Sequence, residues 1–339
     1  MKKKLIALLL SAAMCLSLAA CGQKDTPSGN SGSGSGAAAG SGSAAQTKYK
    51  VGICQLVQHV ALDAATQGFI DALNEALPGQ VEIENKNASG EANNCGTIVN
   101  GYVSEGVDLI MANATGALTA AASATNTIPI LGTSITAYGV ALDIDDFNGT
   151  VGGNISGTSD LAPLDKQAAM LQELFPNAKK VGMLFCSSEP NSKYQVDEVT
   201  KLLSAAGITC TEYTFTDSND VSSVTQKACD DSDVLYIPTD NTAASNTEAI
   251  ANVVLAAGTP VIAGEAGICR GCGAATLSID YYELGKITGQ MAAKILTGEA
   301  DISTMPVEFA PTATKQANMA NCEKLGITVP ADYTALATE

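Results

Sequence analysis

Short apolar runs alternate with longer stretches of helical periodicity through most of the chain. Residues 49–54 form an apolar, β-forming run, and residues 62–77 follow with apolar side chains at the spacing of an amphipathic helix. The elements predicted next are strands at 81–84, 108–111 and 129–131 and helices at 94–104 and 117–125. Short buried strands between helices are typical of a parallel sheet that helices cover on both faces. The pattern therefore predicts an α/β, doubly wound parallel-sheet fold.

This succession of elements occurs twice. Lys50-Val-Gly begins the first series and Lys180-Val-Gly the second, and the segment from Val107 aligns with the segment from Ser232. Any two βαβ units share part of this pattern, but two similar α/β lobes joined by a hinge are its simplest interpretation. The predicted boundaries are residues 48–158 for lobe 1, with approximately 280–304 returning to it, and residues 159–279 for lobe 2, with 305–339 added.

Polar loops follow the carboxyl ends of equivalent strands in the two lobes. The paired loops are 55–62 and 186–192, 113–116 and 238–241, and 133–134 and 264–265. Open parallel sheets bind ligands at this edge. Two lobes that face each other with these edges enclose a cleft, which a hinge can close on a small ligand.

The first 20 residues predict export. Three lysines precede a short apolar core, and Leu18-Ala-Ala-Cys21 ends it, as in a secretory signal. The box resembles that of a bacterial lipoprotein, which implies that Cys21 is lipidated; a plain secretory signal with an incidental cysteine is the alternative. Residues 21–47 are rich in Gly, Ser and Ala and are typical of a flexible linker. We therefore expect an extracytoplasmic protein, anchored to the cell membrane by its lipid.

Charge and cysteine usage narrow the classes of function. A net charge of −17 disfavours nucleic acid as a partner. Most of the ten cysteines lie singly in strand or helix positions, which does not resemble a disulfide framework. The sequence has no phosphate-binding loop, so any ATPase that acts with this protein would be a separate chain.

A set of segments resembles one known family. They are GICQLVQHVALDAATQGFIDAL, NASGEANN, VDLIMANATGALTAAASATNTIPI, NISGTSDLAPLDKQ, NAKKVGMLF, YIPTDNTAAS and TLSIDYYELGKITGQMAAKILTGEA, in this order. Together they are similar to the ABC-transporter substrate-binding proteins that take up tryptophan, tyrosine or phenylalanine. The resemblance implies a type I periplasmic-binding fold, a lipoprotein receptor without catalysis or cofactor, and a separate ABC permease with its ATPase as partners.

Three departures from the family fall in the predicted cleft. Gln58 and Val60 stand where the family more often has glutamate and proline, and residues 133–139 lack the usual Asp-Pro pair. Residues 264–273 differ from the usual acidic loop. The resemblance implies an aromatic or other apolar amino acid as the leading ligand; because the departures lie in the cleft, a nucleoside or a sugar is the alternative for the same fold.

The single histidine of the chain, His59, lies in the loop after the first strand. A zinc site needs further ligands, and no second histidine exists. A Ser/His/Asp triad needs a nucleophile elbow, and the chain has no Gly-x-Ser-x-Gly. Contact with a ligand or with the other lobe, or capping of the next helix, are the interpretations that are left; no metal site is predicted.

The fourteen predicted ligand-binding residues come from the six polar loops, except Asp63 and Asp280. They are Gln58, His59, Asp63, Thr115, Gly116, Thr133, Ser134, Ser188, Asn191, Thr239, Asp240, Asn241, Glu265 and Asp280. Thr115 and Gly116 open a helix whose free N–H groups suit a carboxylate. Asp240 and Asp280 are either helix caps or partners of a ligand ammonium.

Cys269-Arg-Gly-Cys272 is a C-x-x-C that we place in a Gly-rich loop between strands. A local disulfide or two free thiols suit this setting. The alternative from another class of function is an extracellular thiol-redox protein that uses Cys269 and Cys272.

Overall fold

The computed structural model describes residues 48–336, which contain two sheets. The strands of the first sheet are β1 (Tyr49–Gln55), β2 (Val81–Asn87), β3 (Leu109–Asn113), β4 (Ile130–Ile135), β5 (Ile155–Ser159) and β11 (Glu308–Phe309). Those of the second are β6 (Lys180–Cys186), β7 (Thr209–Phe215), β8 (Val234–Ile237), β9 (Val261–Ala263), β10 (Ala275–Ile279), β12 (Ala313–Ala317) and β13 (Thr334–Ala335).

Helices connect successive strands. They are α1 (Val60–Ala76), α2 (Ala92–Glu105), α3 (Thr115–Ala124), α4 (Tyr138–Ala141), α5 (Leu164–Leu174), α6 (Pro190–Ala205), α7 (Val221–Asp231), α8 (Asn241–Ser245), α9 (Thr247–Ala257), α10 (Ala266–Gly271), α11 (Tyr281–Leu296) and α12 (Met319–Leu325). None of the helices within residues 48–336 has the length and apolar character needed to cross a membrane.

The two sheets have the same strand order, which confirms the predicted doubly wound fold. The first runs β2-β1-β3-β4-β5 and the second β7-β6-β8-β9-β10, and these neighbours pair in parallel. The equivalence extends to single residues. The Asp108 carboxylate accepts the Lys50 N–H at 2.7 Å before β3, and the Asp233 carboxylate accepts the Lys180 N–H at 2.9 Å before β8.

Most predicted elements are present with shifted ends. The strand predicted at 81–84 extends to Asn87, because β2 pairs with β1 along its whole length in spite of its polar side chains. The assignment of Cys269 to a loop is wrong, whereas Cys272 lies in the turn that follows α10. Residues 266–271 form α10, whose first turn is stabilised by the Glu265 carboxylate, an acceptor of the Gly267 and Ile268 N–H groups.

Within residues 48–336 the chain crosses between the sheets three times, after β5, β10 and β11. After the second crossing α11 packs against α1, β4 and β5. Residues 305–336 contribute to both sheets, whereas the sequence assigned them to the second: Glu308–Phe309 pairs with β5, and Ala313–Ala317 pairs with β10. The three crossings place the polar loops of the two sheets opposite each other.

Candidate functional site

The two lobes meet around a small closed cavity, which we call the inner pocket. Its residues from the side of the first sheet and the crossings are His59, Leu62, Ser134, Thr136, Asp160 and Tyr281, and those from the second are Asn191, Thr239, Asp240, Asn241, Ala244 and Glu265. A volume of about 10 Å³ leaves room for no more than a water molecule. The lobes must therefore separate before a larger ligand enters.

A wider cavity of about 430 Å³, the outer cleft, adjoins the inner pocket, and Asn191 and Asn241 line both. The first residues of α2, α3, α6 and α8 surround it. Leu56 and Val57 contribute apolar surface, and most of the other lining side chains carry a hydroxyl, an amide or a carboxylate. Among the residues that line the two cavities, all within residues 48–336, there is no lysine and no arginine.

Two side-chain hydrogen bonds join the lobes across the inner pocket. His59 Nε2 lies 3.2 Å from Asn241 Oδ1, and Thr136 Oγ1 lies 3.3 Å from Thr239 Oγ1. Two bonds at these distances contribute about 1 kcal/mol each. Such a closed arrangement is easily exchanged for an open one.

Asp160, in the first crossing, is a carboxylate of the inner pocket whose side-chain partners are two hydroxyl groups. It is 5% exposed and accepts hydrogen bonds from Thr136 Oγ1 at 3.0 Å and from Tyr281 Oη at 2.9 Å. Burial raises the pKa of Asp160 although both hydrogen bonds oppose the shift. A cation in the pocket would relieve this burial cost.

Asp240 and Glu189 form a buried acidic pair in the second lobe. Asp240 accepts the N–H groups of Cys186 and Ala243, each at 2.7 Å, and burial followed by repulsion from Glu189 raises its pKa to about 8. Glu189 accepts five hydrogen bonds, two of them from Asn241 and two from Thr242. Both carboxylates are thus engaged in holding the start of α8.

Donors for an anion lie at the start of α3. The helix has no side-chain cap, and Ala114 before it adopts a φ of 85°, in the region that favours glycine. The first N–H groups of a helix lack intrahelical acceptors and attract anions. Ala114 N–H donates to Thr133 O at 3.0 Å, which places the loop of Ser134 beside this helix start. The Ser134 hydroxyl is buried without a partner, on a residue with a φ of 56°.

The structure brings together ten of the fourteen residues that the sequence predicts to bind a ligand. The inner pocket is lined by His59, Ser134, Asn191, Thr239, Asp240, Asn241 and Glu265. The outer cleft adds Thr115, Gly116 and Ser188.

The other four residues lie outside both cavities. Gln58 is exposed, and Asp63 accepts a hydrogen bond from the Gln55 amide at 2.7 Å instead of capping α1, whose N-cap is His59. The Thr133 hydroxyl lies in a buried cluster with those of Thr158 and Thr288. Asp280 is exposed and caps α11 by accepting the Tyr282 and Glu283 N–H groups.

Sequence reasoning missed the residues of the crossings. Asp160 and Tyr281 reach the inner pocket from just after the predicted lobe boundaries, where no polar loop was predicted, and Thr136 lies just past the predicted polar loop. The signal that was available is the position of Asp160 directly after a buried strand, Ile155–Ser159, which is where the carboxyl-end loop of that strand begins.

A family model for ABC transporter substrate binding proteins matches residues 50–339. The chain belongs to this family. The family consists of binding proteins and not of enzymes, and its members are extracytoplasmic. The recognition of the family from the sequence is therefore confirmed. Within residues 48–336 no group of three or more His, Cys, Asp or Glu side chains is placed to hold a metal ion.

Three similar proteins bear on the site. The tyrosine-binding protein of Clostridioides difficile (strain R20291) is 33% identical over 312 residues, 90% of this chain and 87% of the relative. The ABC domain from Streptococcus pneumonia in complex with L-Trp is 31% identical, with a TM-score of 0.80 over 84% of this chain and 97% of that one. The ligand-free, open structure of a substrate-binding protein with adhesive properties from Clostridium difficile is 35% identical, with a TM-score of 0.66 over 86% and 100%.

These comparisons identify the fold as that of the type I periplasmic-binding proteins. They also bear on the state of the lobes. The TM-score is higher with the L-Trp complex, at 0.80, than with the open, ligand-free structure, at 0.66, although the second protein is the more identical. The arrangement of the two lobes in this substrate-binding protein is therefore nearer to that of the ligand complex, in agreement with the small inner pocket.

Proposed function

We propose that this substrate-binding protein captures an amino acid with an aromatic side chain between its lobes, and delivers it to the permease of an ABC importer. The observation that carries the proposal is that the cavity region contains both a buried carboxylate, Asp160, whose partners are two hydroxyl groups, and uncapped N–H groups at the start of α3. A zwitterion offers one group to each.

The ammonium of the ligand is assigned to Asp160. The carboxylates of Glu189, Asp240 and Glu265 accept hydrogen bonds from N–H groups and hydroxyls of their own lobe. Asp160 has two hydroxyl donors, and each hydroxyl can also turn to another acceptor. An ammonium brings a charge that pairs with this carboxylate, and lobe closure removes water from both.

The carboxylate of the ligand is assigned to the start of α3. The N–H groups of Thr115 and Gly116 belong to the uncapped first turn, and the Ser134 hydroxyl supplies a buried donor from the adjacent loop. The lack of lysine and arginine in both linings leaves these neutral donors to hold the anion.

The side chain of the ligand is assigned to the outer cleft. Leu56 and Val57 give apolar contacts there, whereas hydroxyl and amide groups form most of the remaining wall. A ring with one polar group, such as a phenol or an indole, suits this mixture better than an aliphatic chain. Tyrosine, named for the Clostridioides difficile relative, and L-Trp, bound in the Streptococcus pneumonia structure, are of this type.

Neither alternative explains the site as well. A sugar or a neutral nucleoside brings no cation to the buried Asp160 carboxylate. Thiol-redox chemistry needs a stabilised, accessible thiolate, but Cys269 and Cys272 are 0% and 1% exposed, and burial raises the pKa of both thiols.

The test is a thermal-shift screen of the protein against amino acids, nucleosides and sugars, followed by calorimetry of the hits. A ligand at a hundred times its Kd stabilises a protein by about 2.7 kcal/mol, which a melting curve detects. We expect L-tyrosine and L-tryptophan to raise the Tm. A response to a nucleoside or a sugar and to no amino acid would refute the proposal.

Membrane anchoring through Cys21 is part of the proposal, although Cys21 lies outside the described residues. The support is the Leu18-Ala-Ala-Cys21 box after the apolar core. We expect Cys21→Ala to abolish lipid labelling and to release the protein from membranes or leave it unprocessed. Unchanged labelling of this variant would contradict the anchor.

A further inference from the structure

The bond between His59 and Asn241 has an orientation that a neighbour of Asn241 dictates. The Asn241 side-chain Nδ2 lies 2.7 Å from Glu189 Oε2, and the Asn241 backbone N–H donates to the same oxygen at 2.9 Å. A carboxylate oxygen accepts hydrogen bonds, so the amide nitrogen of Asn241 must face it. The Oδ1 atom of Asn241 is therefore turned toward the other lobe.

The orientation of Asn241 in turn fixes the state of the His59 ring. Because Asn241 Oδ1 can only accept, His59 Nε2, at 3.2 Å, must carry the hydrogen of the neutral imidazole. The other ring nitrogen, Nδ1, is then an acceptor. It is buried without a partner, and His59 lines the inner pocket. A buried acceptor of this kind is unfavourable until a donor reaches it.

We infer that Glu189, Asn241 and His59 form a relay across the cleft, in which Glu189 orients Asn241, Asn241 fixes the His59 tautomer, and His59 Nδ1 accepts a hydrogen bond from the bound ligand. Glu189 and Asn241 are positioning residues, because they act on the ligand through His59. The relay is complete when the lobes are closed, so the same contacts that recognise the ligand also hold the lobes together.

The last step of the relay, from His59 Nδ1 to the ligand, rests on the proposed amino-acid ligand. It adds a requirement that this ligand must meet. Besides the N–H group that meets Asp160, the ligand must present a second donor to His59 Nδ1. An ammonium has three N–H groups and can serve both. An N,N-dimethylated amino acid, which keeps the positive charge but has one N–H, cannot.

The single histidine of the chain makes the relay directly visible by NMR. The sample is untagged protein with 15N-labelled histidine, at pH 8, where a histidine ring is ordinarily neutral. Saturated with L-tryptophan or L-tyrosine, it should show one imidazole N–H, on Nε2, that exchanges slowly with water. The Nδ1 resonance should move on ligand binding, as expected for a nitrogen that gains a donor.

Asn241→Ala removes the acceptor but keeps the backbone N–H that Glu189 holds. It should abolish the protected N–H signal and weaken ligand binding about tenfold, a loss equal to about one hydrogen bond. Asn100→Ala is the matched control, since the exposed Asn100 side chain bonds to Gly96 O within α2. It should change neither readout. Glu189→Gln should weaken the signal as well; if it does not fold, Asn241→Ala decides alone.

Three results would overturn the relay: a protected hydrogen on Nδ1, a protected signal that survives in Asn241→Ala, or equal affinity of that variant and the wild type. Equal affinity for an amino acid and its N,N-dimethyl form would overturn the step from Nδ1 to the ligand. If calorimetry shows that no amino acid binds, the proposed function fails. The relay is then judged on ligand-free protein, and identical spectra of wild type and Asn241→Ala would refute it.

Discussion

At the scale of single residues, the site separates carboxylates that hold the protein from one that is available to a ligand. Asp240 and Asp280 were the predicted ammonium partners, and both cap helices in the structure. Asp160 was not predicted, yet it is buried in the inner pocket with two hydroxyl donors. An acidic residue after a strand is thus not sufficient evidence of ligand contact, because the neighbouring N–H groups decide what the carboxylate does.

Replacing Asp160 tests the assignment of the ammonium. We expect Asp160→Asn to weaken binding of L-tryptophan or L-tyrosine by about 2–5 kcal/mol, because the ammonium is left buried without its partner charge. Asp280→Asn is the matched control: the carboxylate is exposed, asparagine caps a helix as well as aspartate does, and affinity should be unchanged. Calorimetry measures both. Equal losses in the two variants, or none in Asp160→Asn, would contradict the assignment.

The raised pKa of Asp240 predicts a dependence of stability on pH. The folded protein holds a proton on Asp240 up to a pKa of about 8, whereas the unfolded chain releases it near the ordinary value of 3.8. The stabilising contribution of the neutral form is therefore complete below pH 3.8 and is lost as the pH rises toward 8. Between pH 5 and pH 8 the loss reaches up to about 4 kcal/mol, at 1.36 kcal/mol per unit.

Urea unfolding at the two pH values measures this loss. Asp240→Asn has no proton to release at this position, so its stability should fall less between pH 5 and pH 8 than that of the wild type. Parallel pH profiles for the two proteins would show that Asp240 is ionised throughout this range.

At the scale of elements, the contact between α1 and α11 sets the distance between His59 and the second crossing. Glycines allow the two backbones to touch: a Cβ on Gly285 would lie 2.0 Å from Ala65 O, and one on Gly68 would lie 2.1 Å from Tyr282 O. His59 precedes α1, and Tyr281, which bonds to Asp160, begins α11. The close contact at these glycines thus fixes the positions of His59 and Tyr281 relative to each other at the inner pocket.

Gly285→Ala should destabilise the protein by about 1–3 kcal/mol, because the added methyl group meets backbone that cannot move aside easily. Gly96→Ala is the matched control in α2, where an added Cβ has no neighbour within 4 Å. It should stabilise the protein by up to about 1 kcal/mol, since alanine favours a helix over glycine. Urea unfolding of both variants checks this. A Gly285→Ala variant as stable as Gly96→Ala would show that the helices separate at little cost.

At the scale of the whole molecule, function requires that the closed arrangement open. The inner pocket, at about 10 Å³, is too small for an amino acid to enter or leave, and two side-chain hydrogen bonds cross it. The open, ligand-free structure of a protein 35% identical shows that a similar chain adopts a separated state. We therefore expect ligand binding to shift a population from open to closed lobes.

Small-angle scattering measures this shift. The radius of gyration should decrease when L-tryptophan or L-tyrosine is added to saturation, because closure brings the two lobes together. The His59→Ala and Thr136→Ala double variant, which lacks both cross-lobe bonds, should have a larger radius than the wild type without ligand. Identical scattering with and without ligand, at saturation proven by calorimetry, would argue against hinge closure.

The sequence by itself determined the order of elements, the duplication and the family. These follow from local information, because apolar periodicity distinguishes strands from helices. The duplication extends to single residues: Asp108 accepts the Lys50 N–H at the start of β1, and Asp233 accepts the Lys180 N–H at the start of β6. It also placed ten of fourteen candidate residues at the two cavities, since the carboxyl ends of parallel strands meet at one edge.

Tertiary structure alone decided which polar groups remain free for a ligand. Asp63, Thr133 and Asp280 were predicted to bind a ligand like the others, but Gln55, two threonines and the N–H groups of α11 occupy their side chains. Asp160 and Tyr281 enter the pocket because the chain crosses between the sheets there. Hydrogen bonding between residues distant in the chain determines both outcomes, and that pairing exists only once the two lobes have folded and met.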